Sequence, residues 1–149
     1  MTLTKTDSTQ VSANSKHAQY QIELLGNVIR VSGSGVVTPS ILQNYHRDVQ
    51  RVVKPLKCEP WGFLGFAGGV CIMTPEAERF LVESIQFRKS LGMVACAMMT
   101  KDLQIPMLVR NQFQRVYEAA NIAYRFCDNE GAAIQWLASQ GCVTNLQQS

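Results

Sequence analysis

The sequence predicts one α/β domain on a mixed sheet, and three observations predict it. Apolar runs of strand length alternate with helix-length stretches whose apolar residues recur at helical spacing. The pairs Thr38-Pro39 and Thr74-Pro75 open two of those stretches, Gly92 closes the second of these and Gly141 the last stretch. No linker or repeat divides the 149 residues, the length of one ordinary domain. The expected element order is ββαβαβαβα, with parallel crossovers after an opening hairpin.

Residues 1–19 are almost all Thr, Ser, Gln, Asn and isolated charges, with too little apolar surface to offset the entropy of ordering them; a flexible tail is expected. A second short tail is expected over 143–149, which leaves the folded domain at 20–142. Tyr20 to Leu25 and Val28 to Ser32 flank Gly26-Asn27 and read as a hairpin with a two-residue turn. Gly33, Ser34 and Gly35 read as the turn that follows. The first helix starts with Thr38 as N-cap, carries Ile41, Leu42, Tyr45, Val49, Val52 and Val53 on one face, and stops near Pro55.

Trp61 to Ala67 is a continuous apolar run bounded by Pro60 and Gly68-Gly69, which suits a strand buried on both faces. Thr74-Pro75 opens the second helix. Glu76 and Glu78 lie in its first turn and Arg88 and Lys89 in its last, complementing the helix dipole. Met93 to Thr100 reads as another buried strand. Ile105, Val109, Phe113, Val116, Tyr117 and Ala120 share one face of a third helix. Ile122 to Phe126 is a short strand, and Asp128 or Asn129 caps a last helix carrying Ala133, Ile134 and Leu137.

Hydrophobic residues make up 46% of the chain and charged ones only 17%, against about 25% charged in an average soluble domain. The formal net charge of +3 is too weak a field to steer DNA, RNA or an anionic membrane, so no nucleic-acid partner is expected. No stretch approaches the roughly 18 apolar residues of a bilayer span, and no apolar signal segment follows Lys5. Cys58, Cys71, Cys96, Cys127 and Cys142 are odd in number and widely spaced. Neither a disulfide framework nor a local metal pair is expected, and the compartment reads as reducing and cytoplasmic. Cys96 and Cys127 read as small buried hydrophobes, whereas Cys71 lies in a loop.

Catalytic patterns are missing from the residue order. His17 lies in the tail, and His46, the one histidine of the domain, stands beside Arg47 and Asp48 on the first helix, where a solvated side chain is expected. The carboxylates and histidines show no metal-ligand spacing, and no cofactor is implied. Gly33-Ser34-Gly35 lacks the third glycine of a dinucleotide loop, and no lysine follows a glycine as a phosphate loop requires. Glu76 with Glu78, and Asp128 with Glu130, point to different helix faces. Arg47, Arg51 and Lys54 read as a solvated stripe. A catalytic role is therefore not expected.

Two features remain. Val82, Phe87 and Met107 lie off the main apolar stripes, and large apolar residues on a weakly charged surface make self-association as a homodimer an expectation. The loop Gly68, Gly69, Val70, Cys71, Ile72, Met73 leads from a buried strand to Thr74 at a helix start, where open α/β sheets place ligands. Its apolar residues suit a small apolar or lipid-like ligand or a protein surface; a loop packed over the sheet edge fits them equally well.

Four segments carry a family resemblance over Tyr20 to Cys142. They are Trp61-Gly62-Phe63-Leu64-Gly65-Phe66, Thr74-Pro75-Glu76-Ala77, Gly92-Met93-Val94-Ala95-Cys96-Ala97, and the closing Phe126 with Ala132, Ala133, Trp136 and Leu137. On these the chain resembles the SpoIIAA-like superfamily, the fold of STAS domains and bacterial anti-sigma-factor antagonists, and in particular small stand-alone bacterial proteins of that kind with lipid-binding relatives. The resemblance implies a SpoIIAA-like fold and a non-enzymatic regulatory or interaction module with a protein partner. As the alternative it implies a small apolar or lipid-like ligand. It also makes Thr74 the counterpart of the serine or threonine that partner kinases phosphorylate in regulatory STAS domains. This loop has no Asp-Ser pair and Pro75 follows the hydroxyl, so the residues themselves read as a plain N-cap.

Overall fold

A computed structural model of the chain describes residues 10–14 and 18–144. Its strands are β1 (Gln10–Asn14), β2 (Ala18–Leu25), β3 (Val28–Gly35), β4 (Trp61–Gly69), β5 (Met93–Leu103) and β6 (Ala123–Cys127). They form one six-stranded sheet in chain order, β1-β2-β3-β4-β5-β6. The first three strands pair antiparallel; β3 through β6 pair parallel. Helices α1 (Pro39–Val53), α2 (Pro75–Ser90), α3 (Pro106–Ala120) and α4 (Glu130–Ser139) follow β3, β4, β5 and β6 in turn, and a short 3-10 turn, Lys54–Leu56, extends α1. The fold is α/β with a mixed sheet. Among the described residues no helix is long and apolar enough to cross a membrane.

Strand alternation divides the core in two. Ile29 and Val31 of β3 and Trp61 and Phe63 of β4 face α1, α2 and α3, joining Leu42, Val49, Leu81 and Val109 in the larger cluster. Val28 and Leu64 point through the opposite face to meet Ala133 and Leu137 of α4 and Cys142. The expectation of β4 as a strand buried on both faces follows from this arrangement, since helices cover both sides of it.

Helix starts follow their side chains. Thr38 Oγ1 accepts from Ile41 N at 3.4 Å, Thr74 Oγ1 from Ala77 N at 3.1 Å and Asn129 Oδ1 from Ala132 N at 2.8 Å. Only α3 starts without a side-chain cap, at Ile105.

Four expectations are corrected. The N-terminal tail of 1–19 is not wholly a tail, because Gln10–Asn14 pair with Gln19–Glu23 and β2 already begins at Ala18. Residues 1–9 and 15–17, with His17, lie outside the described residues. The C-terminal tail of 143–149 begins tied down: Val143 N donates to Asn27 Oδ1 at 2.7 Å, and Asn27 N donates back to Val143 O at 3.1 Å. Residues 145–149 lie outside the description. Gly33-Ser34-Gly35 is strand, not turn, pairing with β2 through Gly35. Finally, Gly68 and Gly69 belong to β4, since Gly68 pairs with Ser34 and Asp102, and so are not loop residues.

Candidate functional site

Gly33 of β3 and Gly65 of β4 lie on the sheet face toward α1, α2 and α3; a Cβ at Gly33 would meet only ordinary contacts, whereas the place of one at Gly65 is taken by the Phe63 ring and Met98. There the structure holds a cavity of about 110 Å³, walled by the sheet and by α1, α2 and α3. Both glycines line it, together with buried aromatic and apolar residues such as Tyr45, Phe63, Met98 and Tyr117. Its less buried lining residues, Gln19, Ser34, Val37 and Ile41, put the mouth beside the β3–α1 connection.

At the inner end lies Arg88. The last turn of α2 runs back toward the N-terminal ends of the parallel strands, opposite the mouth, and Arg88 is only 2% exposed there. It is the one charged residue of the lining. Its guanidinium sits over the Tyr45 ring, 5.1 Å from the centroid. Nε and Nη2 are buried without a hydrogen-bond partner, and no carboxylate forms an ion pair with Arg88 among the described residues. Removing a cation from water without an anion costs on the order of several kcal/mol, of which a ring face returns roughly 2. Tyr45 offsets part of that cost: burial raises its pKa, the charge and a hydrogen bond of Arg88 lower it, and the Nε–Nη2 edge is left without a partner.

The neighbouring groups are neutral. Burial pushes the Cys96 thiol up to about 12 and that of Cys71 up to about 11, Arg88 pulling Cys96 the other way. Tyr45 and Tyr117 are also raised by burial and keep their protons. The cavity is thus an apolar chamber with one positive charge at its inner end.

The connection between β4 and α2 forms part of the wall. Gln112 of α3, itself buried, accepts from Met73 N and donates to Met73 O, both at 3.0 Å, as a strand would. Val37 N donates to Ile72 O at 2.8 Å and Thr74 N to Val37 O at 3.2 Å. Cys71 takes a left-handed φ of 49°, uncommon for a residue with a Cβ. Held this way, the side chains of Cys71 and Met73 are buried against the cavity.

The site residues expected from sequence therefore divide. Cys71 and Met73 line the cavity; Gly68, Gly69 and Thr74 do not. Thr74 caps α2, and Thr74→Ala is expected to lower stability by about 1 kcal/mol, read as a lower midpoint in thermal unfolding. Of the three residues expected to mediate self-association, Val82 is half-buried and packs on the core, which corrects its reading as a surface residue. Phe87 is partly exposed but its ring lies 5.4 Å from that of His46. Met107 alone is open, at 69% exposure, beside the exposed Ile105 and Leu108.

Two basic residues are also corrected. His46 is half-buried and not freely solvated: its ring packs against Phe80 and Phe87, its Nδ1 is buried without a partner, and burial, then Arg88, lowers its pKa. Arg88 is no surface charge serving the helix dipole. Arg51, by contrast, is exposed as expected and pairs with Asp48 at 3.2 Å. Among the described residues no three His, Cys, Asp or Glu side chains gather as metal ligands. No protein-family model, curated protein or solved structure matches this chain.

Proposed function

We propose that this protein is a non-enzymatic binding module that takes a small, largely apolar molecule into the cavity between its sheet and α1, α2 and α3. The observation that carries this reading is the cavity, an open apolar space in an interior where protein cores are normally close-packed. The neutral thiols support a binding role over a catalytic one, since a protonated cysteine is a poor nucleophile. Five unpaired cysteines support a reducing, cytoplasmic setting. Native mass spectrometry of the purified chain tests the proposal, with a bound small molecule as the expected result. Gly33→Val should abolish that mass increment while the chain stays folded, because a Cβ at Gly33 meets nothing closer than 3.8 Å. Wild-type protein with no bound mass, and no thermal stabilisation by small apolar compounds, would overturn it.

A second reading, the SpoIIAA-like regulatory module with a protein partner or a second copy of itself, is favoured by one surface observation. Ile105, Met107 and Leu108 expose apolar side chains together where β5 leads into α3. A strictly monomeric protein in sedimentation, with Met107→Glu binding the same partners as wild type, would remove that support.

A further inference from the structure

We propose that Arg88 receives the carboxylate of a small monocarboxylic acid whose apolar body fills the cavity. The inference rests on the cavity reading above and adds the chemistry of the ligand's head. Its basis is a mismatch inside the fold: a cation 2% exposed, with Nε and Nη2 unpartnered, bordering empty apolar space.

The two unpartnered atoms are the side edge of the guanidinium, the edge whose paired N–H groups match the two oxygens of a carboxylate. The same chain shows the match elsewhere. Arg115 grips Glu78 with Nε and Nη2 at 3.0 and 2.9 Å, one oxygen to each nitrogen. Arg88 presents that edge without its acid. A single guanidinium among apolar groups suits one negative charge; a phosphate, with more charge and more oxygens, would leave acceptors unmet. The protonated Tyr45 and Tyr117 add no competing anion.

Size limits the body of the ligand. A dry cavity of about 150 Å³ takes benzene, so an open one slightly smaller suits a chain of about six carbons. The acid would enter tail-flexible past Val37 and Ile41 and place its head at the inner end of the cavity, excluding water from the ion pair.

The test compares hexanoate with hexanol at neutral pH by isothermal titration calorimetry on the full chain. The two probes share a tail and differ in charge. Hexanoate is expected to bind wild type about 100-fold more tightly than hexanol, as for one buried, hydrogen-bonded charge pair. Arg88→Met should lose the preference for hexanoate, so that the two probes bind within a few-fold of each other. Arg88→Lys, which keeps the charge and loses the fork, should retain only about a tenfold preference. Equal binding of both probes by wild type overturns the role of Arg88 and leaves the cavity reading standing. Binding of neither overturns both. Hexanoate affinity unchanged in Arg88→Met also overturns the proposal, and if that variant fails to fold, the two probes on wild type decide alone.

Discussion

Gly92→Ala is expected to lower the unfolding free energy by about 3 kcal/mol or more, a loss large enough to threaten a marginally stable domain. Gly92 joins α2 to β5 at φ 113°, where residues with a Cβ rarely go. A Cβ there would lie 2.4 Å from the Glu59 carbonyl oxygen and 3.0 Å from that of Cys58. Both obstacles are backbone, so no rotamer change relieves them. The backbone is also held. Trp61 N donates to Gly92 O at 3.0 Å, and the fully buried Trp61 donates from Nε1 to Leu91 O at 2.9 Å. Yielding at Glu59 would therefore pull at the start of β4, and yielding at Gly92 would move the last turn of α2, which carries Arg88. Urea unfolding measures the effect; a loss under about 1 kcal/mol would show that the 58–60 segment relaxes freely.

From Tyr20 onward the existence and order of the elements were legible, though the ends of β3 and β4 were not, because local and tertiary signals agree over most of them. Thr38, Thr74 and Asn129 cap where capping residues should, and the apolar runs of β4 and β5 are covered on both faces. β1 was not legible. Gln10–Asn14 carries little apolar surface, and its order comes from backbone pairing with β2, which composition does not register. The same holds for Gly33-Ser34-Gly35: glycines signal a turn locally, yet the ladder with β2 and β4 extends them as strand.

The site was half legible. The loop after β4 pointed to Cys71 and Met73, which the cavity includes, but the lining also draws on two glycines of separate strands, Gly33, which has open space above it, and Gly65, over which Phe63 and Met98 close in. Only register brings them together, pairing Val31 with Gly65 and Gly33 with Ala67. Arg88 was hidden by a sound local argument, since a basic residue in a last helical turn ordinarily faces solvent and the dipole. Its spacing held the contrary signal. Leu81, Ser84, Ile85 and Arg88 stand at helical intervals on one buried stripe, so the arginine continues the apolar face.

The wall of that site is expected to depend on one amide. Gln112→Leu should cost about 3 kcal/mol, because the leucine fits the space but leaves Met73 N–H and C=O buried and unpaired, at about 1 to 3 kcal/mol for each orphaned group. Gln112→Glu separates hydrogen bonding from packing. A protonated carboxyl can donate to Met73 O and accept from Met73 N, whereas the ionised form loses the donor and sets its charge against a carbonyl oxygen. Folding therefore favours the protonated acid and raises its pKa above the unfolded value of about 4.3. The folded state then holds more protons, so the stabilising contribution of the variant is fully present below that pH and is lost as the pH rises through the folded value. Relative to wild type at each pH, the deficit should be small near about pH 4 and grow toward about pH 7. A deficit of equal size at both would show that Gln112 acts by filling space, and that the Cys71 to Met73 wall is held by the Val37 contacts instead.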